Sequence, residues 1–266
     1  MRSKTEAALV GLNRCLLAVL VFGMLVISSR NGWAATEIPA NWVVVESEHF
    51  RVAVSDRHRR DAGPILEYAE QARDRMAAYL GEEPVSGVTI FLYDRATFPS
   101  SPSSAWAEPR SREIHLLAPS AQTQEDRRWA DARWYEKNIF HEYVHIALEP
   151  LAGSRFQRQL FWLNEGLPEY LSVYQSTPAI RARYRHYDQE IRDLMRNGET
   201  AFLHLPWTYG TAAIFVRYLE EEYGEGTALA LWRASSGLMS GAVVSILGVT
   251  PTELEERWIK WLDETY

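Results

Sequence analysis

The chain has 266 residues, 47% of them hydrophobic, with ten Trp, 13 Tyr and a formal charge of −7. That apolar content excludes an intrinsically disordered chain, and the acidic balance speaks against a nucleic-acid-binding surface. The single cysteine, Cys15, excludes a disulfide framework. At the N-terminus, Arg2, Lys4 and Arg14 accompany a short apolar run, Cys15 to Ile27, followed by Gly32-Trp33-Ala34. This pattern predicts a signal peptide over residues 1–34, cut after Ala34 or Ala35. The run is shorter than the roughly 20 residues that span a bilayer. The expectation is therefore an exported product, periplasmic or secreted, with no stable membrane span after cleavage, rather than an anchored one. Residues 1–34 carry four basic residues and one acidic, so a chain without them would hold −10.

From Asn41 to Val54 the sequence predicts two strands around a Ser47-Glu48 turn, since Phe50, Val52 and Val54 alternate with Arg51 and Ala53. Asp56 to Leu80 reads as a helix ended by Gly81, with Ile65, Leu66, Ala69, Ala72, Met76 and Leu80 at three- and four-residue steps. Val88–Tyr93 reads as a buried strand. Asp94–Arg112, with Pro99, Pro102 and Pro109, reads as a long loop. A short strand follows at Glu113–Leu117. Trp129–Leu148 contains no Gly or Pro and predicts an uninterrupted helix. Further helices are predicted over Phe161–Tyr174, Pro178–Arg196, Trp207–Tyr223, Thr227–Ser235 and Thr252–Trp261. Thr252 and Glu255 are placed as the capping pair of the last.

Within the long helix, residues 140–146 read Phe-His-Glu-Tyr-Val-His-Ile. Residues four apart share one helical face, so His141 and His145 can aim both imidazoles at one metal ion. Glu142 lies about 100° further round. It cannot be a third ligand, but it can reach a water held by the ion and act as general base. Catalytic zinc takes three protein ligands and leaves a fourth position open. Glu165, in Phe161-Trp162-Leu163-Asn164-Glu165-Gly166, is the best third ligand. Chance alone gives HExxH in a chain this long at odds of about one in a hundred. The bland alternative is a core helix with two satisfied histidines. Glu169, four beyond Glu165, is placed to orient a ligating histidine through its second ring nitrogen, and Asn164 is a weaker candidate for the same kind of support.

HEYVH followed by WLNEG resembles the gluzincin metallopeptidases, and the flanking segments resemble the small bacterial peptidase-MA-like proteins. The specific likeness covers roughly residues 129–175. It implies His141, His145 and Glu165 as zinc ligands and Glu142 as the catalytic glutamate. Nineteen residues separate His145 from Glu165, one more than the aminopeptidase branch leads one to expect, and an extra loop residue near Gly153 would absorb the difference. The resemblance also suggests an edge strand beside the active helix that pairs with extended substrate, here Ile114, His115, Leu116 and Leu117; a plain sheet strand is the equal alternative. His115 receives no metal role. Amide hydrolysis passes through an oxyanion that a hydroxyl donor can stabilise. Tyr209-Gly210 and the helix after it resemble a peptidase-MA-like segment, which makes Tyr209 the nominee, with His204, Tyr143 and Tyr170 as rivals.

Together these readings predict an α+β fold of the thermolysin-like zincin type over residues 36–266. A small N-terminal sheet packs on the HExxH helix, and the C-terminal half is helical. The expected function is a Zn2+-dependent peptidase acting on a peptide or protein substrate. The alternative is a zinc-stabilised, non-catalytic module that binds peptide or cell-wall material; the presence of Glu142 argues against it.

Overall fold

Alternation in Phe50-Arg51-Val52-Ala53-Val54 sends Phe50, Val52 and Val54 to one side of a sheet, where all three are buried. The computed structural model describes residues 35–99, 105–128, 132–152, 161–174, 209–234 and 239–265. The expected signal peptide, the 178–196 helix, His204 and the loop at Gly153 lie outside the described residues. Residues 37–266 form one compact unit. Among the described residues, no helix is long and apolar enough to cross a membrane.

β1 (Trp42–Glu46) and β2 (Phe50–Ser55) form an antiparallel hairpin. Glu70 clamps its turn, accepting from the Ser47 hydroxyl at 2.5 Å and the His49 amide at 3.0 Å. A 3-10 turn over Asp56–Asp61 replaces the first part of the predicted helix, and α1 runs Ala62–Leu80. It stops at Gly81, whose φ of +70° a residue without Cβ adopts at no steric cost. β3 (Val88–Tyr93) lies parallel to β2 and to β5 (Glu113–Leu117).

The predicted long loop holds a fourth strand, β4 (Ala105–Glu108), antiparallel to β5. The sheet order is β1-β2-β3-β5-β4. This corrects the assignment of a substrate-pairing edge to Ile114, His115, Leu116 and Leu117. β5 is paired on both sides and has no edge to offer; among the described residues the terminal strands are β1 and β4. Register is strongly fixed, because a one-residue slip of β5 would exchange buried Ile114 and Leu116 for Glu113 and His115 on the helix-covered face.

Among the described residues, the further helices are α2 (Ala132–Ala152), α3 (Phe161–Asn164), α4 (Gly166–Tyr174), α5 (Tyr209–Tyr223), α6 (Thr227–Ala234), α7 (Met239–Leu247) and α8 (Pro251–Thr265). All described structure from Ala132 onward is thus helical, and the fold is α+β. The cap of α8 sits two residues earlier than predicted. The Thr250 hydroxyl accepts from the Glu253 amide at 3.2 Å, and Glu253 Oε2 accepts from the Thr250 amide at 2.7 Å. Both Thr250 and Thr252 satisfy the T-x-x-E pattern, and the helix start at Pro251 selects the first.

One core joins the inner sheet face to α1, α2, α4, α5, α6 and α8. Tyr143, fully buried on α2, donates its hydroxyl to the Val85 carbonyl at 2.7 Å, tying the helix to the segment before β3. That bond removes Tyr143 from the list of oxyanion donors.

Candidate metal centre

α2 carries Lys137, His141 and His145 at four-residue spacing, and the segment entering α4 carries Glu165 and Glu169 at the same spacing. Residues so spaced form a stripe along a helix. The two stripes face each other. Glu165 Oε2 stands 3.4 Å from His141 Nε2 and 3.4 Å from His145 Nε2. Ligands about 2.0–2.1 Å from a tetrahedral ion stand about 3.3–3.4 Å apart. His141, His145 and Glu165 can therefore hold a metal ion, with one donor atom from each within 4.8 Å of the others. The donor set, two imidazoles and a carboxylate, is one that divalent transition metals take.

Local sequence explains how Glu165 reaches this point. α3 ends at Asn164, Glu165 falls in the break, and α4 resumes at Gly166. Pro168 sits in the first turn of α4, where a missing amide hydrogen costs least. Trp162 packs edge-on against Phe215 at 4.8 Å, fixing α3 to α5. Gly166 lies so close to α5 that a Cβ there would be 2.8 Å from the Ala212 carbonyl oxygen. Asn164 Nδ2 donates to Glu165 Oε1 at 3.0 Å, so each oxygen of that carboxylate has an assigned task.

Electrostatics point the same way. Burial raises the Glu165 carboxyl, but His145 and His141 outweigh it and hold the group far below the carboxylate range. Burial works against a charged His141, yet Glu165 and Glu169 outweigh it and raise that imidazole to about 9. The carboxylates thus demand a cation, which a proton or a metal ion can supply. Metal binding requires the neutral ring, so it displaces the proton.

Glu169 is 1% exposed and its Oε2 lies 3.0 Å from His141 Nδ1. The ring N–H is not aimed straight along that line, and Nδ1 makes no geometrically complete hydrogen bond. The same Oε2 accepts from Lys137 Nζ at 2.6 Å. Lys137, itself buried, is a component the sequence reading missed; its place four residues before His141 was the available signal.

Glu142 lines the same open cleft of about 260 Å³ as the three candidate ligands, together with Asn164, Tyr209 and residues 105–107 and 109. The Tyr209 ring is centred 5.9 Å from that of His141. Burial and the nearby Glu165, Glu142 and Glu169 charges push its hydroxyl upward, so it remains a protonated donor. Tyr170 stacks on Tyr174 at 5.8 Å instead. The residues given the substrate-strand role are not among those lining the cleft, whereas β4 contributes Ala105, Trp106 and Ala107. No family model matches this chain, and no match is found among curated proteins.

Proposed function

We propose that this chain is a zinc-dependent peptidase with a thermolysin-like zincin arrangement. The observation that carries the reading is the convergence of His141, His145 and Glu165, with Glu142 in the same cleft. The first three would hold zinc. When bound, zinc supplies Lewis acidity at this point, acidifying water and polarising a carbonyl. Glu142 takes a proton from the attacking water as its oxygen bonds to the carbonyl carbon. It then delivers that proton to the amide nitrogen as the C–N bond breaks. The Tyr209 hydroxyl donates to the oxyanion formed between these steps. β4, the terminal strand beside the cleft, is the place for an extended peptide to add to the sheet.

The presence of Glu142 favours an enzyme over a zinc-stabilised binding module, because a purely structural site has no use for that carboxylate. The leader read in residues 1–34 adds export to the proposal. Finding the protein in membranes with its N-terminus intact would overturn cleavage of that leader.

The test compares purified native protein with Glu142→Gln. Zinc content is measured in each, and both are incubated with a mixed peptide library read by mass spectrometry. Equal zinc with cleavage only by the native protein is expected. Equal zinc with no cleavage by either would transfer the assignment to a binding module or a non-peptide substrate.

A further inference from the structure

The two facing stripes form a ladder in which basic and acidic groups alternate: His145, Glu165, His141, Glu169, Lys137. Each carboxylate bridges two basic neighbours through its Oε2. Glu165 is open to the cleft and meets the point where a metal ion fits. Glu169 is sealed, and neither it nor Lys137 lines the cleft.

A buried carboxylate without a counter-charge is costly, and removing one member of a buried pair leaves the other uncompensated. Glu165 can take its compensating charge from a metal ion. Glu169 takes its own from the protein. We propose that Lys137 is a positioning residue of the metal site, the built-in counter-ion that keeps Glu169 beside Nδ1 of His141 so that Nε2 faces the cleft. This rests on the metal-site reading above. Three observations support more than a tie between helices. One oxygen serves both Lys137 and His141, at 2.6 and 3.0 Å. Lys137 shares the helical stripe of both histidines. Its side chain is only 10% exposed, so its ammonium is not a surface charge that came to rest on the nearest acid.

The test is a double-mutant cycle on the full chain, with Lys137→Met, Glu169→Gln and the pair. Zinc affinity is read by competition with a chromophoric chelator, and folding is read by thermal melts. Loss of support behind a ligating histidine typically weakens metal binding about 10–100-fold, and that loss is expected for Lys137→Met alone. In the Glu169→Gln background there is no charge to compensate, and Lys137→Met should change affinity by less than about threefold.

Equal losses in both backgrounds, or no loss in the single variant, would overturn the proposal. If Lys137→Met fails to fold while the double variant folds, the counter-ion role stands. If neither folds, Lys137 is needed for something other than the charge of Glu169, and the proposal falls. Failure of the native chain to bind zinc overturns both this inference and the peptidase reading. Zinc binding without cleavage overturns only the latter.

Discussion

The two faces of the sheet use histidine in opposite ways. On the helix side, His141 and His145 meet at a ring separation of 5.1 Å, steeply inclined, with their Nε2 atoms converging on one carboxylate oxygen. On the outer face, His115 is sandwiched flat between Trp106 at 4.7 Å and Phe91 at 5.1 Å, both within 9° of parallel. Its Nδ1 meets the Tyr93 hydroxyl at 3.0 Å, and its Nε2 lies 3.5 Å from Glu113 Oε2. All three histidines are buried, so burial does not distinguish them. What separates them is where the nitrogens aim: into a cleft shared by several donors, or into a closed aromatic layer. A histidine's function here follows from the company of its lone pairs.

Substitutions can break that contrast. The largest effect belongs to Glu142→Gln, which should slow peptide cleavage by about 10²–10⁴-fold, the typical worth of a positioned base. Zinc stoichiometry should not change. A loss of zinc in this variant would mean that the helix side depends on Glu142 for assembly rather than for chemistry. Tyr209→Phe comes next. Removing one oxyanion donor costs about 10²–10³ in kcat, with KM nearly constant. A change confined to KM would reassign Tyr209 to substrate binding. The smallest effect is expected on the outer face. His115→Phe preserves the stack but leaves the buried Tyr93 hydroxyl without its ring-nitrogen partner, so it should cost about 1–3 kcal/mol of stability, leaving zinc affinity untouched. Weaker zinc binding in that variant would show that the two faces are coupled through β4 and β5.

The contrast also explains what could be read from sequence. His141, Glu142 and His145 were legible because helical periodicity alone brings them to neighbouring positions. Glu165 is nominated because a catalytic zinc needs a third ligand, and Tyr209 by a family likeness, since nothing local fixes where either distant segment docks. Glu169 followed from its spacing to Glu165. Lys137 was missed although its spacing to His141 is equally regular: a lysine on a helix usually reads as a solvated charge, and only the packing of α4 buries this one. β4 was missed because Ala-Trp-Ala-Glu has no β-branched residue and follows a serine- and proline-rich run. Its strand character comes from pairing with β5, a tertiary cause. Assigning the edge to β5 failed with it, because an unseen neighbour strand changes which strand is terminal.

The close approach of Gly166 to Ala212 also couples two parts of the candidate site. Gly166 follows the third candidate ligand, and Ala212 lies three residues beyond Tyr209. Seating one helix on the other therefore brings the candidate ligand Glu165 and the proposed oxyanion donor Tyr209 to the same cleft. On the peptidase reading, a chain in which these two helices have not docked lacks both groups at the cleft and carries no cutting capacity. Gly166→Ala, which forces that contact apart, should delay zinc uptake and the appearance of activity together during refolding. Uptake that kept its native pace while activity lagged would separate the two events.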